Sequence, residues 1–197
     1  FEVFQRQEIE KDSLRKISLP LPLVVKPARE GSTIGVSIVR TEEELVLGLK
    51  EAGKYDEEIL VEEFMNGKEI TVGILEDIPL PVIEIVPRSG FYDFHSKYTK
   101  GETQYILPAR ISREKYLYAQ EISFKAFQSL GCSGVARVDL MTDENESPFV
   151  IDINTMPGMT ETSLLPKAAS YAGIPFEDLV ERILLGATLK IESGKWH

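Results

Sequence analysis

Hydrophobic and polar residues alternate along two neighbouring segments in the second half of the chain, and a period of two predicts β-strands. In "VARVDLM" this pattern puts Arg137 and Asp139 on one face of a strand and apolar residues on the other. In "FVIDINT" it puts Asp152 and Asn154 on one face, with Phe149 on the opposite one. If the two strands pair as a hairpin, one surface joins the core and the other gathers two carboxylates, an amide and a guanidinium.

The rest of the pattern predicts a mixture of strands and helices. Further strands are predicted for "PLPLVVKP", "VSIVR", "EILVEEF", "KEITVGILED" and "IPLPVIEIVP". Helices are predicted after Thr41, which forms a capping box with Glu44, and between Ser112 and Gly131, with two more after "MPGMTETS". The long polar loop "RSGFYDFHSKYTKGET" carries four aromatic residues, and loops of this length are often functional. This order of elements favours an α+β fold.

Length and composition limit the classes of protein and partner. A chain of 197 residues with 43% hydrophobic content is long enough to bury a core as one domain or two small ones. The apolar runs are too short for a membrane span, and the net charge of −10 argues against a nucleic-acid partner. The first residues lack the pattern of a signal peptide, and the single Cys132 cannot form an internal disulfide. We therefore expect a cytoplasmic protein.

The charged face of the predicted hairpin suits a hard cation and a phosphate. Mg²⁺ binds oxygen ligands, typically a few carboxylates completed by water and substrate phosphate, and Asp139, Asp152 and Asn154 supply such oxygens. Arg137 cannot be a metal ligand, but it can balance charge on a phosphoryl group. The alternative is a solvated face with one surface ion pair, which the combination of two carboxylates and an amide disfavours.

Two further segments are candidates for nucleotide binding. In "LVVKPAREGSTIGVSIVR", Lys26 precedes a loop whose amides, around Gly31–Gly35, can form an anion-binding concavity. Because the lysine precedes the glycines, this is not a Walker A loop, and a plain hairpin is the alternative. In "LVEEFMNGKE", Glu62 and Glu69 can bind ribose hydroxyls while the Phe and Met between them lie against a base. The alternative there is a strand that ends in a turn, with its acidic residues in water.

Five segments resemble the D-alanine–D-alanine ligases, which are ATP-grasp enzymes of peptidoglycan precursor synthesis. They are "VVKPAREGSTIGVS", "LVEEFMNGKEITV", "FYDFHSKYTKGETQYILPA", "LGCSGVARVDLM" and "IDINTMPGMTETSLLP", and they occur in the family's order between about residues 20 and 188. The resemblance implies an ATP-grasp fold in which two α+β subdomains hold ATP between antiparallel sheets. It implies a small central subdomain at residues 1–90 and a large C-terminal subdomain at residues 91–197.

The resemblance also implies roles for the matching positions. The implied nucleotide-binding residues are Lys26, Glu62, Glu63, Phe64, Met65, Glu69, Phe91, Lys97 and Met141. The implied ligands of two Mg²⁺ ions, with Mn²⁺ as the alternative ion, are Asp139, Asp152 and Asn154. The implied catalytic residues are Ser32, Lys97, Tyr98, Arg137 and Gly158. The carboxylate of a second D-alanine is implied to bind at Ser163 and Leu164.

The implied reaction is the ligation of two D-alanines at the expense of ATP. ATP phosphorylates one carboxylate to an acylphosphate, and the amine of the second D-alanine attacks it and releases phosphate. The implied partners are D-alanine and ATP, and a homodimer is one option because ligases of this type are often dimers. The alternatives are another ATP-grasp carboxylate–amine ligase, a D-alanine–D-lactate ligase, or a nucleotide-binding module without catalysis. Tyr98 after Lys97 favours the dipeptide over the depsipeptide.

Two features depart from the family pattern. The family usually has Glu where this chain has Asp152, whose side chain is one methylene shorter. The family's N-terminal substrate domain has no counterpart in this sequence, which begins where the central domain of the family begins. We therefore expect the chain to bind Mg-ATP and to catalyse poorly on its own.

Overall fold

The computed structural model describes residues 1–10, 17–31, 33–87 and 103–187. The chain divides into two compact units: Phe1–Met65 forms the first, and Asn66–Val86 with the chain from Gln104 onward forms the second. Both units contain helices and antiparallel strands, in agreement with the predicted α+β class. Within the described ranges, no helix is long and apolar enough to cross a membrane.

The first unit is built on one antiparallel sheet. Its elements are β1 (Glu2–Gln5), α1 (Arg6–Glu10), β2 (Leu23–Pro27), β3 (Ser37–Val39), α2 (Glu42–Ala52) and β4 (Glu58–Glu63). The four strands lie in the order β1-β4-β2-β3. Alternate residues of β2 and β4 face a core that α1 and α2 complete, with buried residues Phe4, Ile9, Leu23, Val25, Val39, Leu49, Ala52, Ile59 and Val61. The other face of these two strands carries Lys26 and Glu62.

Helix α2 begins as its sequence predicts. The Thr41 hydroxyl accepts a hydrogen bond from the Glu44 N–H at 3.2 Å, so Thr41 is the N-cap. The Glu44 carboxylate accepts from the N–H of Arg40 at 2.7 Å. In a capping box it would accept from the N–H of Thr41 itself, so this bond lies one residue earlier than predicted. Leu49 and Ala52 then point into the core.

The second unit is built on a larger sheet. Its strands are β5 (Glu69–Leu75), β6 (Ile78–Pro79), β7 (Ile83–Pro87), β8 (Thr103–Ile106), β9 (Val135–Thr142) and β10 (Pro148–Asn154). Its helices are α3 (Arg113–Ser129), α4 (Leu164–Tyr171) and α5 (Phe176–Leu185). The strands lie in the order β10-β9-β5-β7-β8, and β6 pairs with β5 outside this path. Helix α3 begins at the predicted cap, where the Ser112 hydroxyl accepts from the Lys115 N–H at 3.4 Å.

The observed division of the chain differs from the predicted boundary at residue 90. That boundary groups residues 66–86 with the first unit, whereas in the structure they belong to the second. The reason is that β5 pairs with β9 along its whole length, from Glu69 opposite Met141 to Leu75 opposite Val135. An alternating segment identifies a strand, but it does not identify the strand's hydrogen-bonded partner.

Strand β9 separates an apolar face of the second sheet from a polar one, as its alternation predicts. Ala136, Val138 and Leu140 are fully buried. Helix α3 packs on this side through Ala119 and Phe127. The face that carries the charged residues is therefore the opposite one.

Gly73 of β5 lets α4 approach this polar face. It lies opposite Arg137 of β9, so the two residues share a face. A Cβ atom at Gly73 would lie 2.7 Å from Leu165 Cδ1 and 3.1 Å from Leu80 Cδ1, closer than packed carbon atoms normally approach. The missing side chain therefore allows α4 to pack on the side of the sheet that carries Arg137.

A buried carboxylate joins β7 to the segment before α3. Glu84 is almost fully buried, and its carboxylate accepts hydrogen bonds from the N–H of Arg110 at 3.0 Å and from the Arg110 guanidinium at 3.0 and 2.7 Å. The guanidinium outweighs burial and holds the pKa of Glu84 below its ordinary value of about 4.5. The pair therefore stabilises the fold above that pH, and this stabilisation is lost as the pH falls through the lower pKa of the folded state.

We expect Arg110→Gln to lower the Tm at pH 7 by about 5 °C, because the buried carboxylate loses its charged partner. The deficit should shrink as the pH falls toward and below the ordinary glutamate pKa of about 4.5, because burial favours the protonated form of Glu84 once its charged partner is gone. Thermal unfolding followed by circular dichroism from pH 3 to 8 measures both effects. Arg113→Gln, at an exposed arginine of α3, is the control and should leave the Tm unchanged. A deficit that does not vary with pH would contradict this role of Glu84.

Candidate functional site

The second sheet places polar side chains in rows across β5, β9 and β10. Asp139 of β9 lies opposite Asp152 of β10 and opposite Thr71 of β5. Arg137 of β9 lies opposite Asn154 of β10. Directly opposed residues of an antiparallel pair point to the same face. The register therefore confirms that the two carboxylates, the amide and the guanidinium share one face.

A β-bulge in β10 corrects the predicted face of Phe149. The register shifts between Val150 and Asp152, so one extra residue stands on β10. Before the bulge, Phe149 lies opposite Met141, and Val150 lies opposite Leu140. Phe149 is thus on the same face as Met141, and the prediction of the opposite face was wrong. Because of the extra residue, the aspartate that follows it lies opposite the aspartate of β9.

Arg137 and Asp139 form an ion pair on this face. Arg137 Nε donates to Asp139 Oδ1 at 2.8 Å, and Nη2 donates to Oδ2 at 2.7 Å, so two parallel hydrogen bonds join the planar groups. The two side chains are 22% and 15% exposed, which limits screening of the pair by water. The Thr71 hydroxyl lies 2.6 Å from Asp139 Oδ1.

Asp152 and Asn154 offer further oxygen atoms. Asp152 is exposed, and one carboxylate oxygen accepts from the N–H of Ile153 at 2.9 Å. The side-chain oxygen of Asn154 accepts from the N–H of Met156 at 2.9 Å, in a turn that ends β10. Over the part of the chain that the structure describes, no three His, Cys, Asp or Glu side chains form a metal-binding group. A cation on this face would therefore depend on two carboxylates and an amide.

The loop between β10 and α4 folds around the hydroxyl of Ser163. Ser163 Oγ accepts from the N–H of Thr160 at 3.1 Å and lies 2.9 Å from Thr160 Oγ1. A Cβ atom added at Gly158 would lie 2.9 Å from the same oxygen. Leu164 is buried in the first turn of α4. The structure thus brings Gly158, Ser163 and Leu164 together at the start of this helix.

In the first unit, two predicted nucleotide-binding residues contact each other. Lys26 Nζ lies 2.8 Å from Glu62 Oε2. Because Val24 of β2 lies opposite Glu62 of β4, Lys26 and Glu62 are diagonal neighbours on one face of the sheet. Their side chains are 23% and 27% exposed, so the pair is only partly screened by water.

The predicted adenine-binding segment follows this pair at the end of β4. Glu63 is exposed, whereas Phe64 and Met65 are half-buried. The N–H of Phe64 donates to a backbone carbonyl of the segment before β2 at 3.1 Å. In the second unit, Glu69 lies opposite Met141, so these two predicted nucleotide-binding residues share a face.

The loop after β2 uses two of its amides for its own turns. The N–H of Ile34 donates to the carbonyl of Gly31 at 3.1 Å, and the N–H of Val36 donates to the carbonyl of Thr33 at 3.4 Å. Thr33 has a φ of 67°, in the left-handed region that residues other than glycine seldom adopt. The predicted anion-binding concavity around Gly31–Gly35 stays a prediction.

Arg29 anchors the start of this loop. Its N–H donates to Asp56 at 2.8 Å, and its guanidinium donates to Asp56 and to Glu58, each at 2.6 Å. Burial raises the pKa of Asp56, but hydrogen bonds from the N–H groups of Glu58, Arg29 and Glu57, with the charge of Arg29, bring it below its ordinary value. Asp56 therefore stays ionised and holds the loop at neutral pH.

Four of the predicted site residues lie outside the described residues. They are Ser32 in the loop after β2, and Phe91, Lys97 and Tyr98 in the long polar loop. Their predicted roles remain predictions.

Thr71 is a polar residue of this face that the sequence reading missed. It lies two residues after Glu69 and therefore on the same face of β5, but alternation alone does not reveal the strand beside it. Its closeness to Asp139 depends on the pairing of β5 with β9 across more than sixty residues of chain. A period-two pattern gives the face of a residue, and only the register gives its neighbour.

A family model described as "D-ala D-ala ligase C-terminus" matches residues 1–185. The chain belongs to this ligase family. The D-alanine–D-alanine ligase of Syntrophotalea carbinolica is 54% identical to it over 169 residues, which are 86% of this chain and 55% of that relative. The chain thus spans about half the length of the curated relatives it matches.

Solved structures agree with this membership. The Bacillus anthracis D-alanine–D-alanine ligase complexed with ATP is similar with a TM-score of 0.70 and 34% identity, over 84% of this chain and 52% of that one. The VanG D-Ala:D-Ser ligase of Enterococcus faecalis is similar with a TM-score of 0.79 and 32% identity, over 92% of this chain and 54% of that one. The ligase family predicted from the sequence is confirmed, and so is the ATP-grasp fold.

We expect Arg137→Gln to increase the affinity of the nucleotide-free chain for Mn²⁺ by about 5-fold, because the change removes a positive charge that repels a cation at Asp139. Electron paramagnetic resonance of free Mn²⁺ measures this affinity. Arg182→Gln is the matched control, since that arginine of the same unit is paired with Glu76 at 2.5 Å. Unchanged or weaker Mn²⁺ binding in Arg137→Gln would contradict competition between the guanidinium and the ion.

Proposed function

We propose that the protein acts in the ATP-dependent ligation of two D-alanines to D-alanyl-D-alanine, a step of peptidoglycan precursor synthesis. The observation that carries this proposal is the face on which the Arg137–Asp139 pair lies opposite Asp152 and Asn154. Phosphoryl transfer depends on positioning and charge neutralisation more than on covalent chemistry by the protein, and these groups suit that task. Membership of the ligase family supports the proposal.

ATP is the proposed nucleotide, and the similar Bacillus anthracis ligase complexed with ATP supports it. We assign Lys26 to the phosphates, Glu62 and Glu69 to the nucleoside, and Glu63–Met65 with Met141 to the adenine. Lys26 and Glu62 contact each other in the structure. Binding of ATP would therefore exchange one ion pair for two contacts with the nucleotide.

The oxygen atoms of Asp139, Asp152 and Asn154 fit Mg²⁺, because hard cations prefer carboxylate and amide oxygens. The carboxylate of Asp139 has about four lone-pair sites, and two hydrogen bonds from Arg137 with one from Thr71 leave one site, on Oδ2, for an ion. A bound Mg²⁺ would neutralise charge on the phosphates. Mn²⁺ has similar ligand preferences, and the family resemblance favours two ions.

In the proposed reaction, a carboxylate oxygen of the first D-alanine attacks the γ-phosphorus of ATP, and ADP leaves with the bridging oxygen. The amine of the second D-alanine then attacks the carbonyl carbon of the acylphosphate, inorganic phosphate leaves, and the nitrogen loses a proton. We assign Arg137 and the N–H of Gly158 to the negative charge that develops on the phosphoryl group and on the tetrahedral oxyanion. Excluding water from the acylphosphate would prevent its hydrolysis.

Ser163 and Leu164 are assigned to the carboxylate of the second amino acid. Ser163 stands at the N-terminus of α4, where the helix dipole favours negative charge. The similarity to a D-Ala:D-Ser ligase makes D-serine the competing acceptor. The activity assay therefore compares D-alanine with D-serine as the acceptor.

The family resemblance supplies the remaining assignments. They include Ser32, Phe91, Lys97 and Tyr98, with Lys97 on the phosphoryl group and Tyr98 directed toward Ser32. The homodimer also rests on it, whereas a cytoplasmic location follows from the reaction's use of ATP. We assign the first unit to the small ATP-grasp subdomain and the second unit to the large one.

Calorimetric titration with ATP, with and without Mg²⁺, tests the nucleotide and metal assignments. We expect tighter binding with Mg²⁺, and we expect Asp152→Asn to remove most of this gain. Lys26→Met should weaken ATP binding about 10-fold with or without the ion, because a charge-assisted contact is lost. Lys50→Met, at an exposed lysine of α2, is the matched control and should bind ATP normally.

Release of phosphate on addition of D-alanine, D-serine or D-lactate tests the ligation. Because the chain is expected to catalyse poorly on its own, slow formation of dipeptide in step with phosphate from D-alanine would support the proposed reaction. A preference for D-serine or D-lactate would change the assigned acceptor, and the proposed class of reaction would stand. An affinity for ATP that neither Mg²⁺ nor the Lys26→Met change alters would contradict the proposal.

A further inference from the structure

We propose that Thr71 is a positioning residue for Asp139 when that carboxylate binds its cation, a role that rests on the proposed function. Thr71 lies directly opposite Asp139 in the β5–β9 register, and its hydroxyl is 2.6 Å from Asp139 Oδ1. Thr71 is 1% exposed, so bulk water does not compete for this hydroxyl. The contact joins a buried donor to one of the two carboxylates of the polar face.

The hydroxyl proton of Thr71 has two acceptors within reach. The carbonyl oxygen of Val138 lies 3.0 Å from the hydroxyl oxygen, and Asp139 Oδ1 lies at 2.6 Å. A hydroxyl donates one proton, and an ionised carboxylate is a stronger acceptor than a neutral carbonyl. The shorter distance and the charge both favour donation to Asp139.

Arg137 alone cannot hold Asp139 throughout the proposed reaction. It donates two hydrogen bonds to Asp139 in the structure, yet the proposal assigns it to the transferring phosphoryl group. When its guanidinium turns toward the phosphoryl group, Thr71 remains as a donor to the carboxylate. The torsion that orients a carboxylate is broad, so a fixed donor limits the rotation that a bound cation would otherwise have to restrict.

The position of Thr71 in the sheet keeps this donor fixed. β5 is hydrogen-bonded on both sides, and Thr71 lies opposite Ile83 of β7 as well as opposite Asp139 of β9. Groups that orient a metal-binding carboxylate typically change metal affinity 10–100-fold when they are removed. We therefore expect the hydroxyl of Thr71 to affect cation binding more than it affects folding.

A second buried threonine of the same sheet separates positioning from packing. Thr142 is also 1% exposed, and its hydroxyl accepts from the N–H of Lys68 at 2.9 Å. It belongs to the buried face of β9, opposite to the face of Asp139. Thr142→Val therefore removes a hydroxyl of equal size and burial without touching the carboxylate, which makes it the matched control.

The test uses the 197-residue chain, Mn²⁺ and a non-hydrolysable ATP analogue. Bound Mn²⁺ is measured by electron paramagnetic resonance, and folding is checked by thermal unfolding without the metal. We expect Thr71→Val to weaken Mn²⁺ binding about 10-fold and Thr71→Ser to restore it to within about twofold. Thr142→Val should lower the Tm and leave Mn²⁺ binding within about twofold of the unaltered chain.

Each other result overturns the inference. Unchanged Mn²⁺ binding in Thr71→Val, or an equal loss in Thr71→Ser or Thr142→Val, overturns the positioning role and leaves the proposed function standing. If Thr71→Val does not fold, Thr71→Cys offers the same comparison with Thr71→Ser, because a thiol of similar shape is a weak donor. Failure of the unaltered chain to bind Mn²⁺ with the nucleotide overturns the inference and the proposed function together.

Discussion

The charged face of the second unit depends on how β9 is hydrogen-bonded to its two neighbours. Asp139 meets Thr71 on one side and Asp152 on the other because both ladders are in register at that row. A shift of one residue in either ladder would turn a whole strand over and send its polar side chains into the core. The bulge in β10 belongs to this constraint, since it restores the register just before Asp152.

Opposite charges are paired within each unit at the positions assigned to the nucleotide and its metal ion. Lys26 pairs with Glu62 in the first unit, and Arg137 pairs with Asp139 in the second. Side chains that are mostly shielded from water need such partners, because an unpaired charge is costly to bury. When phosphates bind, their negative charge would take the place of Glu62 beside Lys26. When a cation binds, its positive charge would take the place of Arg137 beside Asp139. No shielded charge would therefore be left without a partner.

The sequence patterns predicted the features that depend on residues close together in the chain. The caps at Thr41 and Ser112 and the two faces of β9 follow from side chains within a few residues of each other. The pairing of β5 with β9, the bulge in β10 and the contact of Thr71 with Asp139 depend on hydrogen bonds between distant segments. The face assigned to Phe149 was wrong for this reason.

A crystal structure of the chain with Mg²⁺ and a non-hydrolysable ATP analogue would show directly whether the face that carries Asp139 and Asp152 binds the cation. We predict a cation about 2.1 Å from carboxylate oxygens of Asp139 and Asp152, with the Arg137 guanidinium turned from Asp139 to the γ-phosphate. A nucleotide bound away from this face, or an ion bound elsewhere with Arg137 still on Asp139, would contradict it.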